Sequence, residues 1–288
     1  MSDVETKEDA LENPKGRVLI IAGSDSSGGA GIQADIKTVT ALGGYAATAI
    51  TALTVQNTTG VSAVHPVPMD ILSGQIEAVL SDIGADAVKT GMLGTAEVIE
   101  TVIAAVDAHG DPAVPLIVDP VMVAASGARL IDDGAVEALR ALMVPRAGLL
   151  TPNAPEAAAL TGVTVEDMDG QRSAAEALIE AGAGSVLVKG GHIEGGDVID
   201  VLATRNGVRL FTRPRLKTRH THGTGCTFAS ACAALIAQGL PLDRAVEQAG
   251  DYLHEAIRHA PGFGAGSGPV GHGWTCTGGF GRAPVREG

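Results

Sequence analysis

Aromatic residues make up only 2% of this 288-residue chain, and lysine is scarce, with six of the twenty basic residues. A core of any size must therefore be built from Ala, Val, Ile and Leu. The formal charge is −13 and no Lys/Arg run occurs. Such a field repels phosphate backbones and anionic lipid, which excludes nucleic acid and a membrane surface as partners. No apolar stretch reaches the ~18 residues of a membrane span. Residues 1–14 are acidic and lack the apolar segment of a signal peptide. Cysteines number three. Cys226 and Cys232, six apart on one expected helix, face away from each other, so no disulfide framework follows and a cytoplasmic protein is expected. An acidic, lysine-poor surface is also one that a high-salt cytoplasm tolerates. No Gly-Lys pair exists, which removes a Walker A loop.

What is present is alternation. Short apolar runs at 17–22, 45–55, 86–89, 115–119, 148–150 and 185–189 read as strands. Amphipathic stretches at 30–42, 69–83, 95–109, 133–143, 155–160 and 171–181 read as helices. This predicts an α/β fold, a central mostly parallel sheet with helices on both faces. Residues 198–212 break the rhythm. Asn206-Gly207 between two apolar stretches predicts a late antiparallel hairpin with a type I′ turn. Two long helices, 224–238 and 242–258, close the pattern. One domain over 17–274 is expected, with an acidic disordered tail at 1–16 and a second, Gly-rich one at 275–288.

Several motif matches fail on chemistry. Gly29-Ala30-Gly31-Ile32-Gln33-Ala34 fits a dinucleotide fingerprint, but no Asp or Glu occurs between Asp35 and Asp70 to hold a ribose. His254 and His259 are five apart, about 140° around a helix, and cannot share one metal ion. His220-x-His222 lies in a loop that reads better as part of a phosphate site.

Two loops carry chemistry. In 23–31, Gly-Ser-Asp-Ser-Ser-Gly-Gly-Ala-Gly leads from a strand end into a helix, where ligands bind in open α/β sheets. Asp35, one turn on, is placed to point back at that ligand. In 221–227, Thr-His-Gly-Thr-Gly-Cys-Thr opens a long apolar helix. Gly223, Thr224 and Gly225 can expose successive N–H groups to an anion. Cys226 sits in the first turn, where the helix dipole favours thiolate.

GSDSSGGAGIQAD, KTGM (89–92), TPNAPE (151–156), KGGH (189–192), HGTGCT (222–227) and GSGPVGH (266–272) occur in order. Together they closely resemble the hydroxymethylpyrimidine/phosphomethylpyrimidine kinases of thiamine biosynthesis, in the ribokinase superfamily. The resemblance covers residues 17–274. It implies a ribokinase-like fold, ATP and Mg²⁺ as cofactors, and phosphorylation of 4-amino-5-hydroxymethyl-2-methylpyrimidine to the monophosphate and then the diphosphate. Gly23, Asp35, Gln56 and Met92 would bind the pyrimidine, with Gln56 hydrogen-bonding its ring. Asn153 and Lys189 would bind nucleotide, while Glu156, with Asp119 beside it, would organise Mg²⁺. Gly223, Thr224 and Gly225 would form an anion hole around Cys226 as catalytic base. Homodimerisation is also implied. Ser26 stands where the family often has Pro, which is expected to soften the first loop. The alternatives are a pyridoxine or pyridoxal kinase on the same scaffold, and a non-catalytic pyrimidine-binding regulator.

Overall fold

β1 (Arg17–Asp25) shows why the sheet lies between two layers. Its side chains alternate, with Leu19 and Ile21 entering one apolar cluster and Val18, Ile20 and Ala22 the other. A strand apolar at every position must be covered on both faces. In a computed structural model, which describes residues 15–124, 127 and 129–276, that is its position.

The chain continues through α1 (Gly31–Ala41), β2 (Tyr45–Asn57), β3 (Gly60–Pro66), α2 (Met69–Ala78), β4 (Ala87–Thr90), α3 (Ala96–His109) and β5 (Leu116–Val118). After these come α4 (Asp133–Ala138), β6 (Leu149–Leu150), α5 (Ala154–Thr161), α6 (Met168–Glu180) and β7 (Ser185–Val188). β8 (Asp197–Thr204), β9 (Gly207–Pro214), α7 (Thr224–Ala237) and α8 (Leu242–Arg258) complete it. All strands share one sheet in the order β3-β2-β1-β4-β5-β6-β7-β8-β9. The six strands from β2 to β7 pair in parallel, while β3, β8 and β9 join antiparallel.

One core packs α2 to α6 on the sheet, and the other packs α1, α7 and α8. The near absence of aromatics is met by small residues. Ala229, Ala231, Cys232, Ala233 and Ala234 of α7 are fully buried, with Phe211, Phe228 and Tyr252 as the large fillers of that side. Close helix–sheet packing replaces bulk.

The expected α/β layering and late hairpin are present, with four differences. The antiparallel β3 at the far edge has no counterpart in the sequence reading. It pairs with β2 through a shift between Val55 and Gln56. The β8–β9 turn is not type I′, which needs positive φ at both central residues. Thr204 pairs with Gly207, leaving Arg205-Asn206 as the loop, and among the described residues no non-glycine residue has positive φ. Residues 15 and 16 belong to the fold, since the Lys15 amide donates to Gly43 and the Gly16 carbonyl accepts from Tyr45. Thr275 belongs to it too, donating its hydroxyl to Ala41. The rest of both expected tails, 1–14 and 277–288, lies outside the described residues.

Candidate active site

A cavity of about 1390 Å³ opens at the carboxyl ends of the parallel strands. Ligand sites commonly run ~300–1,000 Å³, so there is room for more than one small molecule. Gly23, Gln56 and Met92 line one end, and Lys189, Asp119 and Glu156 line the middle. The 223–226 turn forms the facing wall.

The first loop is organised by Asp25, which is 2% exposed. Its carboxylate accepts hydrogen bonds from the amides of Ser27, Gly29 and Ala30 and from the Ser27 hydroxyl. It also accepts from His222 Nε2 at 2.8 Å, which ties the first loop to the second. Burial pushes the Asp25 carboxyl up, but the hydrogen bonds from His222 and Ser27 outweigh it and leave the pKa below the ordinary value. The two loops touch because both are glycine where they meet. A Cβ on Gly223, whose φ is +80°, would lie 1.8 Å from the Gly29 carbonyl oxygen.

Gly223 is the N-cap of α7, and its carbonyl takes the first helical bond, from the Thr227 amide. The turn thus places Gly223, Thr224 and Gly225 at the positive end of α7 and on the cavity wall. Cys226 lines the same wall and is half-buried. The expected thiolate is not favoured in this setting. Burial pushes the thiol up to about 12, and the carboxylates of Asp35 and Asp119 add to that push. The Lys89 ammonium and the Gly31 amide act in the opposite sense without winning.

Asn153 and Glu156 form a capping box on α5: the Asn153 side chain accepts from the Glu156 amide, and the Glu156 carboxylate accepts from the Asn153 amide. The Asn-x-x-Glu pattern is therefore helix-initiating, and it sets Glu156 beside the cavity at 6% exposure. Burial pushes its carboxyl up to about 7, with Asp119 adding to the effect and Lys189 opposing it. Lys189 Nζ donates to Asp119 Oδ1 at 2.9 Å. Burial works against the Lys189 charge, but Asp119 and Glu156 outweigh it and raise its pKa. Asp119 Oδ2 is buried and has no hydrogen-bond partner among the described residues. An orphaned carboxylate oxygen next to a second, part-protonated carboxyl is an all-oxygen donor set suited to Mg²⁺.

Asp35 corrects an expectation. It does not line the cavity; it is fully buried in α1, with Lys89 Nζ 2.9 Å from both carboxylate oxygens and the Ser230 hydroxyl donating at 2.7 Å. The side chain points into the α1–α7 packing, where it neutralises the buried lysine of β4. Ser26 corrects another, because its hydroxyl donates to the Gln56 carbonyl and accepts from the Gln56 amide. The loop is bracketed to β2 rather than softened. His254 lines the cavity, and no metal-holding His/Cys/Asp/Glu cluster occurs among the described residues.

Sequence reasoning missed the pairing of Asp25 with His222 and the buried Lys89–Asp35 pair. A carboxylate followed by Ser-Ser-Gly-Gly was the available signal for the first, since those residues supply closely spaced N–H donors. Nothing local announces the second, whose partners are 54 residues apart.

The chain is similar to known kinases over most of its length. A family model described as phosphomethylpyrimidine kinase matches residues 25–271. The chain is 48% identical over 257 residues to the hydroxymethylpyrimidine/phosphomethylpyrimidine kinase of Bacillus subtilis, covering 89% of this chain and 94% of that protein. It is 51% identical over 259 residues, 90% of this chain, to the thiamine biosynthesis bifunctional protein of Geobacter sulfurreducens, but spans only 52% of that protein's length. Among solved structures, pyridoxal kinase from Staphylococcus aureus in complex with AMP-PCP and pyridoxal superposes with a TM-score of 0.83 at 36% identity. That match covers 90% of this chain and 94% of the other. With the sheet order, the cavity and these matches in agreement, the chain belongs to the phosphomethylpyrimidine kinase family.

Proposed function

We propose that this kinase transfers the γ-phosphoryl group of ATP to the hydroxymethyl of 4-amino-5-hydroxymethyl-2-methylpyrimidine, and then a second phosphoryl to the monophosphate. The observation that carries the reading is one wall. Cys226, the amides of 223–225 and the Asp119–Lys189–Glu156 corner face a single cavity whose other end holds Gln56, Met92 and Gly23.

The residues divide the work by chemistry. Gly23, Gln56 and Met92 hold the ring, Gln56 by hydrogen bonds and Met92 as an apolar wall. Gly23 leaves room for that wall, since a Cβ there would meet Met92 Cε at 2.5 Å. Lys189 places a positive charge beside the nucleotide phosphates, and Asn153 fixes the helix end that faces them. Asp119 and Glu156 would hold Mg²⁺, which when bound neutralises charge on the phosphates. In the first transfer the hydroxymethyl oxygen bonds to the γ-phosphorus, the bond to the β-phosphate oxygen breaks, and the hydroxyl proton passes to the thiolate form of Cys226, which has first released its own proton to solvent. The amides of 223–225 hold the phosphoryl oxygens in flight. Asp119 is one of the groups that keep the thiol protonated, so neutralising it favours the base form of Cys226. Asp35, held by Lys89, acts from behind Cys226 and not on substrate.

The second transfer needs no base, because a phosphate monoester oxygen is already ionised near neutral pH. Cys226→Ala should therefore cut the first transfer by ~10²-fold or more and leave the second much closer to wild type. A coupled ADP-release assay, run with the alcohol and with its monophosphate, reads both. Equal losses on the two substrates, or no loss on either, would remove Cys226 as the base. Pyridoxal kinase is the second reading, favoured by the structural match to the S. aureus enzyme. Pyridoxine in the same assay separates them, with the higher kcat/KM deciding.

A homodimer is part of this proposal. β3 is an edge strand, and Leu53 and Val55 of the adjoining β2 are 47% and 60% exposed on one face. Three free thiols fit a reducing cytoplasm.

A further inference from the structure

The hydrogen-bond inventory around Gln56 decides which way its amide points. Its backbone is clamped on both sides by Ser26, so only the side chain can turn. As placed, the amide Oε1 lies 3.2 Å from Thr54 Oγ1 and Nε2 lies 3.4 Å from His222 Nε2. Thr54 has a single proton, and the Ser24 carbonyl is its nearer acceptor at 2.9 Å. Towards Gln56 it can then only accept, which calls for the amide NH₂.

His222 gives the same answer independently. Asp25 is an ionised carboxylate that already gathers three backbone amides and a hydroxyl. At 2.8 Å from that carboxylate, His222 Nε2 must carry a hydrogen. That hydrogen points to Asp25 and leaves Nε2 no lone pair, so it cannot accept from the Gln56 NH₂ and sits better beside the amide carbonyl. With Oε1 on the Thr54 side, two N–H donors would face each other across the His222 contact. The amide turned by about 180° has the same shape, donates to Thr54 and removes that clash.

We propose that Asp25 and His222 are positioning residues that lock the polarity of the Gln56 amide, and so set which ring the kinase accepts. The inference rests on Gln56 holding the ring, as in the function proposed above. His222 immediately precedes Gly223, so the carbonyl end of the amide lies on the reacting side of the cavity and the NH₂ end lies on the Thr54 side. A ring whose hydroxymethyl reaches Cys226 meets an acceptor beside that group and a donor one position further. The matching ring carries an N–H donor on the carbon next to the hydroxymethyl-bearing carbon, followed by a ring nitrogen acceptor. An aminopyrimidine has that order. A 4-oxo ring with N3–H has it reversed, and a ring with a carbonyl beside the hydroxymethyl offers no donor at that place.

The test compares kcat/KM for 4-amino-5-hydroxymethyl-2-methylpyrimidine with its 4-oxo counterpart. The wild-type enzyme should prefer the amino ring by ~100-fold or more. In His222→Phe only Thr54 still favours one orientation of the amide, so the preference should fall, to below ~10-fold. Part of that fall should come from an absolute rise on the oxo ring, which a merely structural defect would not produce. His222→Gln, which restores an N–H donor to Asp25, should recover most of the preference. If His222→Phe does not fold, Gln56→Glu carries the test. A carboxylate accepts at both ends, so each ring then meets one matched and one repelled edge and the preference should fall towards parity. Wild-type turnover of both rings at equal efficiency, or an unchanged preference in His222→Phe or Gln56→Glu, would overturn the lock alone. Failure to phosphorylate the amino ring at all would overturn the functional reading and this inference with it.

Discussion

The two ends of the active site are built on opposite principles. At the β1–α1 loop every strong acceptor is saturated from within. Asp25 takes five hydrogen bonds, and Ser26 takes and gives one each with the Gln56 backbone. At the β5–β7 corner the protein leaves groups unfinished. Asp119 Oδ2 has no partner among the described residues, and Glu156 holds its proton into the neutral range. A satisfied polar network is rigid and suits recognition of one shape. An unsatisfied pair of carboxylates is costly unless a cation arrives, and suits a site whose ligand brings that charge.

Five substitutions or reactions break or sharpen this contrast, in falling order of effect. Asp119→Asn should lower kcat on the order of 10²–10³-fold while thermal stability changes little, because the amide keeps an oxygen for Lys189 Nζ and the oxygen it replaces had no partner among the described residues. A fall below tenfold would mean the corner is not the reacting end. Asp25→Ala should instead cost stability, ~2–4 kcal/mol in a denaturant titration, because several buried donors lose their acceptor together.

The same loop carries a pH signature. The folded pKa of Asp25 lies below the ordinary 3.8. Its stabilisation is thus complete above that value and is lost as pH falls through the lower folded pKa. Asp25→Asn should flatten that part of the acid limb of a stability-versus-pH curve.

Alkylation by iodoacetamide gives a smaller, local contrast. Cys276 is exposed and should react first, while Cys226, its thiol pushed up to about 12, should stay slow to pH 9 and Cys232 should be inert. Peptide mass spectrometry against time reads the order. Ser26→Ala should have the smallest effect, ~1 kcal/mol or less in stability with a severalfold rise in KM for the pyrimidine. A rise in KM for ATP alone would place the bracket at the wrong end.

How far these features could be read in advance depends on the distance between partners. The strands β1, β4, β5 and β7 and the helices α1, α3, α7 and α8 are legible because their apolar periodicity is local and strong. β3 is not, because 60–66 (Gly-Val-Ser-Ala-Val-His-Pro) is mostly exposed and becomes a strand only by pairing with β2. The hairpin at 197–214 was legible but its turn type was not, since Asn-Gly signals a reversal without fixing which two residues occupy its corners. Glu156 and Lys189 could be named from motifs. That the Glu156 carboxyl would be pushed up to about 7 could not, since that follows from burial and from Asp119.

Residue order alone determined the layered α/β architecture, the two glycine loops and the residue types available for phosphoryl transfer. Periodicity, small residues and helix-start signals are all written within a few positions. The tertiary structure decided which charges those residues keep. Asp35 turned inward because Lys89, 54 residues away, had to be neutralised in the core. The Cys226 thiol is pushed up because burial and two carboxylates outweigh one ammonium and the Gly31 amide. The first and second loops were tied by the hydrogen bond between Asp25 and His222, 197 residues apart. Electrostatic energy depends on separation and burial in space, and neither is encoded at any one position.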